Sequence, residues 1–78
     1  MSPLDGKSFR DSALQSLKAN ALKDQTEAIT SLQIMLNHPA GIGDHSTGDL
    51  HDNLNEALSK LADANERLDT LGRYFKVI

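Results

Sequence analysis

The sequence of 78 residues contains no cysteine and no tryptophan, and it has only two phenylalanines, one tyrosine and two prolines. Without cysteine, the chain has neither disulfides nor the cysteine-based zinc sites that stabilise many small domains. A chain of this length lies near the lower size limit for a stable single core. We expect one domain, residues 1–78, that gains the missing stability by oligomerisation.

The charges and the hydropathy pattern exclude several classes of function. A net charge of −3 has the wrong sign for non-specific nucleic-acid binding, and few aromatic residues are present to stack on bases. No apolar run approaches the length of about 18 residues that a membrane span requires, and no leader pattern is present. We therefore expect a cytoplasmic protein with neither a nucleic-acid nor a membrane partner.

The second half of the chain contains an uninterrupted heptad pattern, which requires a facing helix. Its apolar residues alternate at spacings of four and three: Leu50, Leu54, Ala57, Leu61, Ala64, Leu68, Leu71 and Phe75. The first half is also helical in pattern, with one apolar stripe through Leu14, Ala21, Ala28 and Met35 and a second stripe beside it through Leu22, Ile29 and Leu36. Two stripes on one helix allow contacts with two partners.

Pro39, Gly41 and Gly43 interrupt the two helical patterns and predict a loop over residues 38–46. Helix 1 is expected over about residues 8–37 and helix 2 over about residues 47–76. Equal lengths and a short connection predict an all-α fold, an antiparallel two-helix hairpin of the coiled-coil type. Alanines at positions 21, 28, 57 and 64 would let the two backbones approach closely near the middle.

A lone hairpin leaves apolar side chains exposed, and exposed apolar patches usually mark interfaces. We therefore predict assembly into a helical-bundle oligomer. The residues expected to mediate self-association are Leu22, Ile29, Leu36, Leu58 and Phe75. The C-terminal residues 74–78, which include Tyr74, Val77 and Ile78, are expected near Leu4 and Phe9 at one end of the rod, as an end plug or a contact with a second subunit. Residues 24–56 contain six acids and no Lys or Arg, a dipolar pattern that favours antiparallel packing of neighbours.

The predicted loop is the candidate site for a ligand or partner, because glycines there expose backbone N–H groups beside the start of helix 2. Its candidate residues are His38, Gly41, Gly43, Asp44, His45 and Ser46. His51 and the acids Asp49 and Asp52 follow closely, but the spacing favours caps and turns over a metal site. No metal and no cofactor are predicted.

Nucleophilic catalysis lacks support, since no serine has a nucleophile-elbow context, and we predict that the protein is not an enzyme. The favoured function is a small helical interaction protein that binds itself and a further partner, either another protein or a small anionic ligand. The alternative is an oligomer that sequesters an anionic, nucleotide-like molecule between subunits. There, Lys7, Arg10, Arg73 or Lys76 of a neighbour would approach the loop.

The stretch GIGDHSTGDLHDNLNEALSKLADANERLDTLGRYF, with its glycine-rich loop and heptad helix ending in RYF, resembles short helical proteins of tailed phages. The resemblance implies a phage accessory protein that acts in the host cytoplasm. Such a protein would bind a host factor or scavenge a defence signal. The resemblance implies no site residue.

Overall fold

The computed structural model describes residues 6–37 and 47–77, in which the chain forms two α-helices and no strand. Helix α1 spans Gly6–Asn37 (32 residues) and helix α2 spans Thr47–Phe75 (29 residues). The prediction of an all-helical chain with two packed helices is confirmed, and the helix ends lie within two residues of the expected positions. The predicted loop at 38–46 lies outside the described residues.

The two helices are antiparallel and form a thin rod. Asp24 contacts Arg67 and Glu27 contacts Lys60, so residue numbers rise along α1 as they fall along the facing side of α2. The molecule measures 59 × 23 × 16 Å, and its radius of gyration is 17.5 Å. A compact domain of this length would have a radius of gyration of about 11.5 Å. The rod therefore leaves most of each helix surface accessible.

Alanines form the centre of the contact between the helices. Ala21 and Ala64 are 0% exposed, Ala28 is 1% exposed and Ala57 is 8% exposed. Their small side chains allow the two backbones to come closer than leucines would, because interaxial distance follows the size of the residues at the contact. We call these four residues the alanine seam, and their burial confirms that the sequence pattern located the contact correctly.

Larger apolar side chains flank the alanine seam and are only half-buried. No large side chain is fully buried anywhere in the described ranges. The half-buried leucines are Leu14, Leu32, Leu50, Leu54, Leu61 and Leu68. A single chain thus has a core made mainly of methyl groups, so the hydrophobic stabilisation available per residue is small.

Helix α2 ends in a backward turn of the chain. Arg73 lies in the last turn of α2, where a cation is favourable, and Asp49 lies in the first turn. Lys76 then adopts a left-handed conformation with φ of 62°, and the Val77 amide donates a hydrogen bond to the Leu71 carbonyl oxygen at 3.2 Å. Val77 folds back and is buried together with Leu71.

The exposure of Phe75 corrects the heptad prediction at this end. Phe75 was expected to continue the buried seam of α2, but it is 43% exposed in the single chain. Phe75 shares the heptad position of Leu54, Leu61 and Leu68, which lie beside the alanine seam and are also only half-buried. Phe9 and Tyr74 are largely exposed, whereas Val77 of the same predicted cluster is buried with Leu71.

The left-handed residue at the end of α2 generates a stability prediction. A non-glycine residue in this conformation is strained by about 1 kcal/mol, which glycine avoids. Lys76→Gly is therefore expected to raise the free energy of unfolding by about 0.5–1 kcal/mol in a urea titration. Lys76→Ala is the matched control, because it removes the same charge but keeps the strain. Equal effects of the two variants would contradict the backbone explanation.

The alanine seam generates a second prediction. Ala64→Leu places a large side chain where none fits, and we expect it to lower the free energy of unfolding by about 1–3 kcal/mol. Ala62→Leu adds the same side chain to an exposed position of the same helix and should change stability by less than about 0.5 kcal/mol. Urea unfolding followed by circular dichroism measures both. An unchanged free energy of unfolding for Ala64→Leu would show that the two helices are not held at the short interaxial distance that alanines allow.

Candidate interaction surface

One side of the helix pair is crossed by ion pairs. Arg67 Nη2 lies 2.6 Å from Asp24 Oδ2, and Arg67 Nε lies 3.0 Å from Asp63 Oδ2. Lys60 Nζ lies 2.9 Å from Glu27 Oε1. We call this side, with Asp24, Glu27, Lys60, Asp63 and Arg67, the charged face. Because its residues belong to both helices, it shows which sides of α1 and α2 are turned toward each other.

These contacts shift the titration of the groups that make them. The Arg67 hydrogen bond lowers the pKa of Asp24 below its ordinary value of 3.8. The Lys60 hydrogen bond lowers the pKa of Glu27 below 4.5, and the same bond raises the pKa of Lys60 above 10.5. All of these side chains are substantially exposed to water, so each pair contributes modestly and is screened by salt.

The opposite side of the helix pair is apolar. Successive residues of a helix are about 100° apart, so the residues on the far side of the alanine seam from the charged face can be assigned from their numbers. We call this side the apolar face, and its residues are Leu14, Leu22, Ile29, Leu32 and Leu36 on α1 and Leu54, Leu58, Leu61 and Leu68 on α2. The face runs along most of the rod.

One polar pair lies within the apolar face. The Gln25 Nε2 amide donates a hydrogen bond to Asn65 Oδ1 at 2.8 Å, across the two helices. Leucines of the apolar face lie on both sides of this pair along the rod, and Lys18 lies on the same side of α1, seven residues before Gln25. The two neutral amides are the polar pair that joins the two helices within this face.

The described part of the chain also contains two open grooves, and both involve the charged face. One groove, of about 520 Å³, lies toward the predicted loop and is lined by Ser31, Ile34, Met35, Asn53, Glu56, Ala57 and Lys60. The other groove, of about 290 Å³, lies toward the termini and is lined by Leu17, Asn20, Glu66, Arg67, Thr70 and Leu71. Neither groove encloses a polar side chain that is aimed at a ligand and lacks a partner.

The predicted self-association residues lie on the surface in the structure. Leu22, Ile29, Leu36 and Leu58 are all exposed and belong to one face, while Phe75 is exposed near the end of α2. Phe75 lies seven residues after Leu68, so all five residues lie on the side of the apolar face, and their role in self-association stays a prediction. The candidate loop residues His38, Gly41, Gly43, Asp44, His45 and Ser46 lie outside the described residues.

Sequence reasoning missed the polar contacts that join the helices. Asp24 and Gln25 lie between Ala21 and Ala28, and Arg67 and Asn65 lie close to Ala64. Residues that flank a small-residue seam on both helices are the positions where polar side chains reach across. An antiparallel alignment of the two alanine pairs would therefore have located these contacts.

Other site types find no support within residues 6–37 and 47–77. No group of three or more His, Cys, Asp or Glu side chains in these ranges has a geometry that could hold a metal ion. Neither α1 nor α2 is long and apolar enough to cross a membrane.

Comparison of the chain with protein-family models, curated proteins and solved structures finds no match. The resemblance to phage proteins therefore stays a hypothesis, as does the alternative of an anionic ligand held between subunits. The apolar face, with its amide pair, is the feature on which a functional proposal can be built.

The ion pairs of the charged face predict how stability depends on pH. Since the pKa values of Asp24 and Glu27 are lowered in the folded chain, their stabilisation is present above the ordinary values and is lost as the pH falls through the lowered ones. The free energy of unfolding should therefore fall between about pH 5 and about pH 3. Urea titrations at several pH values measure this.

The double variant Asp24→Asn/Glu27→Gln should be less stable at neutral pH and should depend less on acid. Salt of about 1 M should flatten the acid dependence of the parent chain, because exposed ion pairs are screened. An equal loss of stability in acid for the parent and the double variant would show that these two carboxylates are not responsible.

Proposed function

We propose that the protein is a non-enzymatic helical interaction module that self-associates through its apolar face. The observation that carries the proposal is the exposure of Leu22, Ile29, Leu36 and Leu58 on one side of the rod. Contiguous exposed apolar surface of this kind usually marks an interface. The opposite side contains the ion pairs of the charged face, together with the exposed side chains of Leu17 and Ile34.

The weakness of the single-chain core supports the proposal. In the described ranges the buried apolar residues are four alanines, Leu71 and Val77. Burying a leucine side chain contributes about 1.5–3 kcal/mol, several times more than an alanine. The half-buried and exposed leucines of the apolar face can supply this only if something covers them, and a second chain does so for both copies at once.

The size of the rod is also sufficient for a stable interface. The side that contains both helices measures about 59 × 23 Å. A standard interface takes about 800 Å² from each partner, which is less than this side offers. The accessible surface of the chain is 5871 Å², against about 4,700 Å² for a folded monomer of the same mass. If a second chain covered the apolar face, the accessible surface per chain would come closer to that of an ordinary folded monomer.

Light scattering of the purified protein over a concentration series tests the proposal. We expect a mass that is a multiple of 8.5 kDa and that falls on dilution. A mass of 8.5 kDa at every concentration would contradict self-association. The apolar face would then require a foreign partner.

A pair of matched substitutions tests the face itself. Ile29 lies on the apolar face and is 39% exposed, whereas Ile34 lies on the other side of α1 and is 53% exposed. We expect Ile29→Lys to reduce the mass toward that of one chain, because a charge would be buried in the interface without a partner. Ile34→Lys should leave the mass unchanged.

Circular dichroism on both variants separates assembly from folding. Ile29 and Ile34 are both exposed within one chain, so a lysine at either position should not by itself unfold a monomer. If Ile29→Lys loses both helix content and mass while Ile34→Lys loses neither, folding depends on assembly through the apolar face, and the proposal is supported. Equal masses for the two variants would show that the interface lies elsewhere.

A further inference from the structure

We infer that the apolar face pairs with a second copy in the antiparallel direction, around a two-fold axis that passes through the Gln25–Asn65 pair. The inference rests on the proposed self-association and specifies its geometry. In this four-helix arrangement α1 packs on α1 of the second copy and α2 packs on α2. The two amide pairs then form one polar layer in the middle of the interface.

The hydrogen-bonding capacity of the two amides favours a copy of this chain over a foreign helix. Each side-chain amide has two donor hydrogens and one acceptor oxygen, and the bond between Gln25 and Asn65 uses only one donor and one acceptor. An uncovered pair is hydrated, but a covered pair needs partners for its remaining groups. A two-fold axis through the layer supplies them automatically, since it places the same amides opposite.

The spacing of the apolar residues is consistent with an axis at this level. On α1, Leu14 and Leu36 lie eleven residues before and after Gln25. An antiparallel copy centred on Gln25 therefore brings Leu14 of one chain beside Leu36 of the other. A shift of the axis by one turn would place amides against leucines and leave donors unpaired.

The charge distribution favours the antiparallel over the parallel direction. On the termini side of the amide pair, residues 9–24 and 66–77 contain six Lys or Arg and four Asp or Glu, a net charge of +2. On the loop side, residues 26–37 and 49–64 contain Lys60 and five acids, a net charge of −4. Parallel packing would place like ends together, whereas antiparallel packing places the acidic end beside the basic end.

Chemical crosslinking tests the direction, because the chain has no cysteine of its own. Leu14→Cys protein is mixed with Leu36→Cys protein, and in a second tube Leu36→Cys is mixed with Leu54→Cys. Both mixtures are unfolded, refolded together and treated with a short bismaleimide. In the antiparallel arrangement, positions 14 and 36 of different copies are adjacent, while positions 36 and 54 lie at opposite ends of the bundle, more than about 30 Å apart.

A covalent dimer from the 14 and 36 mixture, and none from the 36 and 54 mixture, is the expected result. A dimer from the 36 and 54 mixture alone would establish parallel packing and overturn the inference while leaving self-association intact. No dimer in either tube, from proteins that light scattering shows to be oligomeric, would also overturn it. A monomeric mass would instead contradict the proposed function.

The role of the amide layer is tested by replacing it. Buried polar residues in helical bundles often fix register at a cost in stability. We expect Gln25→Leu/Asn65→Leu to raise the melting temperature and to give crosslinks in both tubes, because the register and direction are then less specified. Asn55→Leu, at an exposed position of α2, should leave the crosslinking pattern unchanged. An unchanged pattern in the double variant would remove the amide layer from the inference.

Discussion

The close approach of two helices along four alanines is the constraint on which the rest of the structure depends. Side chains of this size cannot hold helices apart, so the backbones meet at a short distance and the larger residues are displaced to the flanks. The complete burial of Ala21 and Ala64 contrasts with the partial exposure of the leucines that flank them, such as Leu61 and Leu68. Everything that the surface offers to a partner follows from this displacement.

Displacement to two flanks gives the rod two different sides. On one side, Arg67 and Lys60 reach across to Asp24 and Glu27, and the contacts remain in water. On the other side, leucines and Ile29 lie next to each other, with the Gln25–Asn65 amide pair and Lys18 among them. Ion pairs at the surface contribute little to stability, but they make the charged face unsuitable for burial, because covering charges costs more than their attraction returns. The asymmetry therefore supports the apolar face as the side through which we propose that the chain associates.

The sequence was sufficient for the helices and for their contact, but not for the rotation of one helix relative to the other. Heptad spacing located Ala57 and Ala64, and Pro39 with two glycines marked the interruption. The heptad alone also placed Phe75 in the contact, because periodicity does not show that this position lies on the flank of the alanine seam, where Leu61 and Leu68 are only half-buried. The cross-helix pairs, among them Gln25 with Asn65, depend on side-chain reach in three dimensions and become visible only once the register is known.

Because the core of one chain consists mainly of alanines, the stability of its fold is expected to depend on the proposed association. Ordering two long helices costs conformational entropy. If the leucines beside the seam stay half-exposed, the burial of apolar surface offsets only part of that cost. Covering one face changes that balance more than any contact within the chain can. An interface of leucines alone would allow the two chains to pack in several registers, because a leucine side chain packs against many different neighbours. In the antiparallel pairing that we propose, the Gln25–Asn65 pair would make one register better than the others, since only there would its remaining donors and acceptors meet amides.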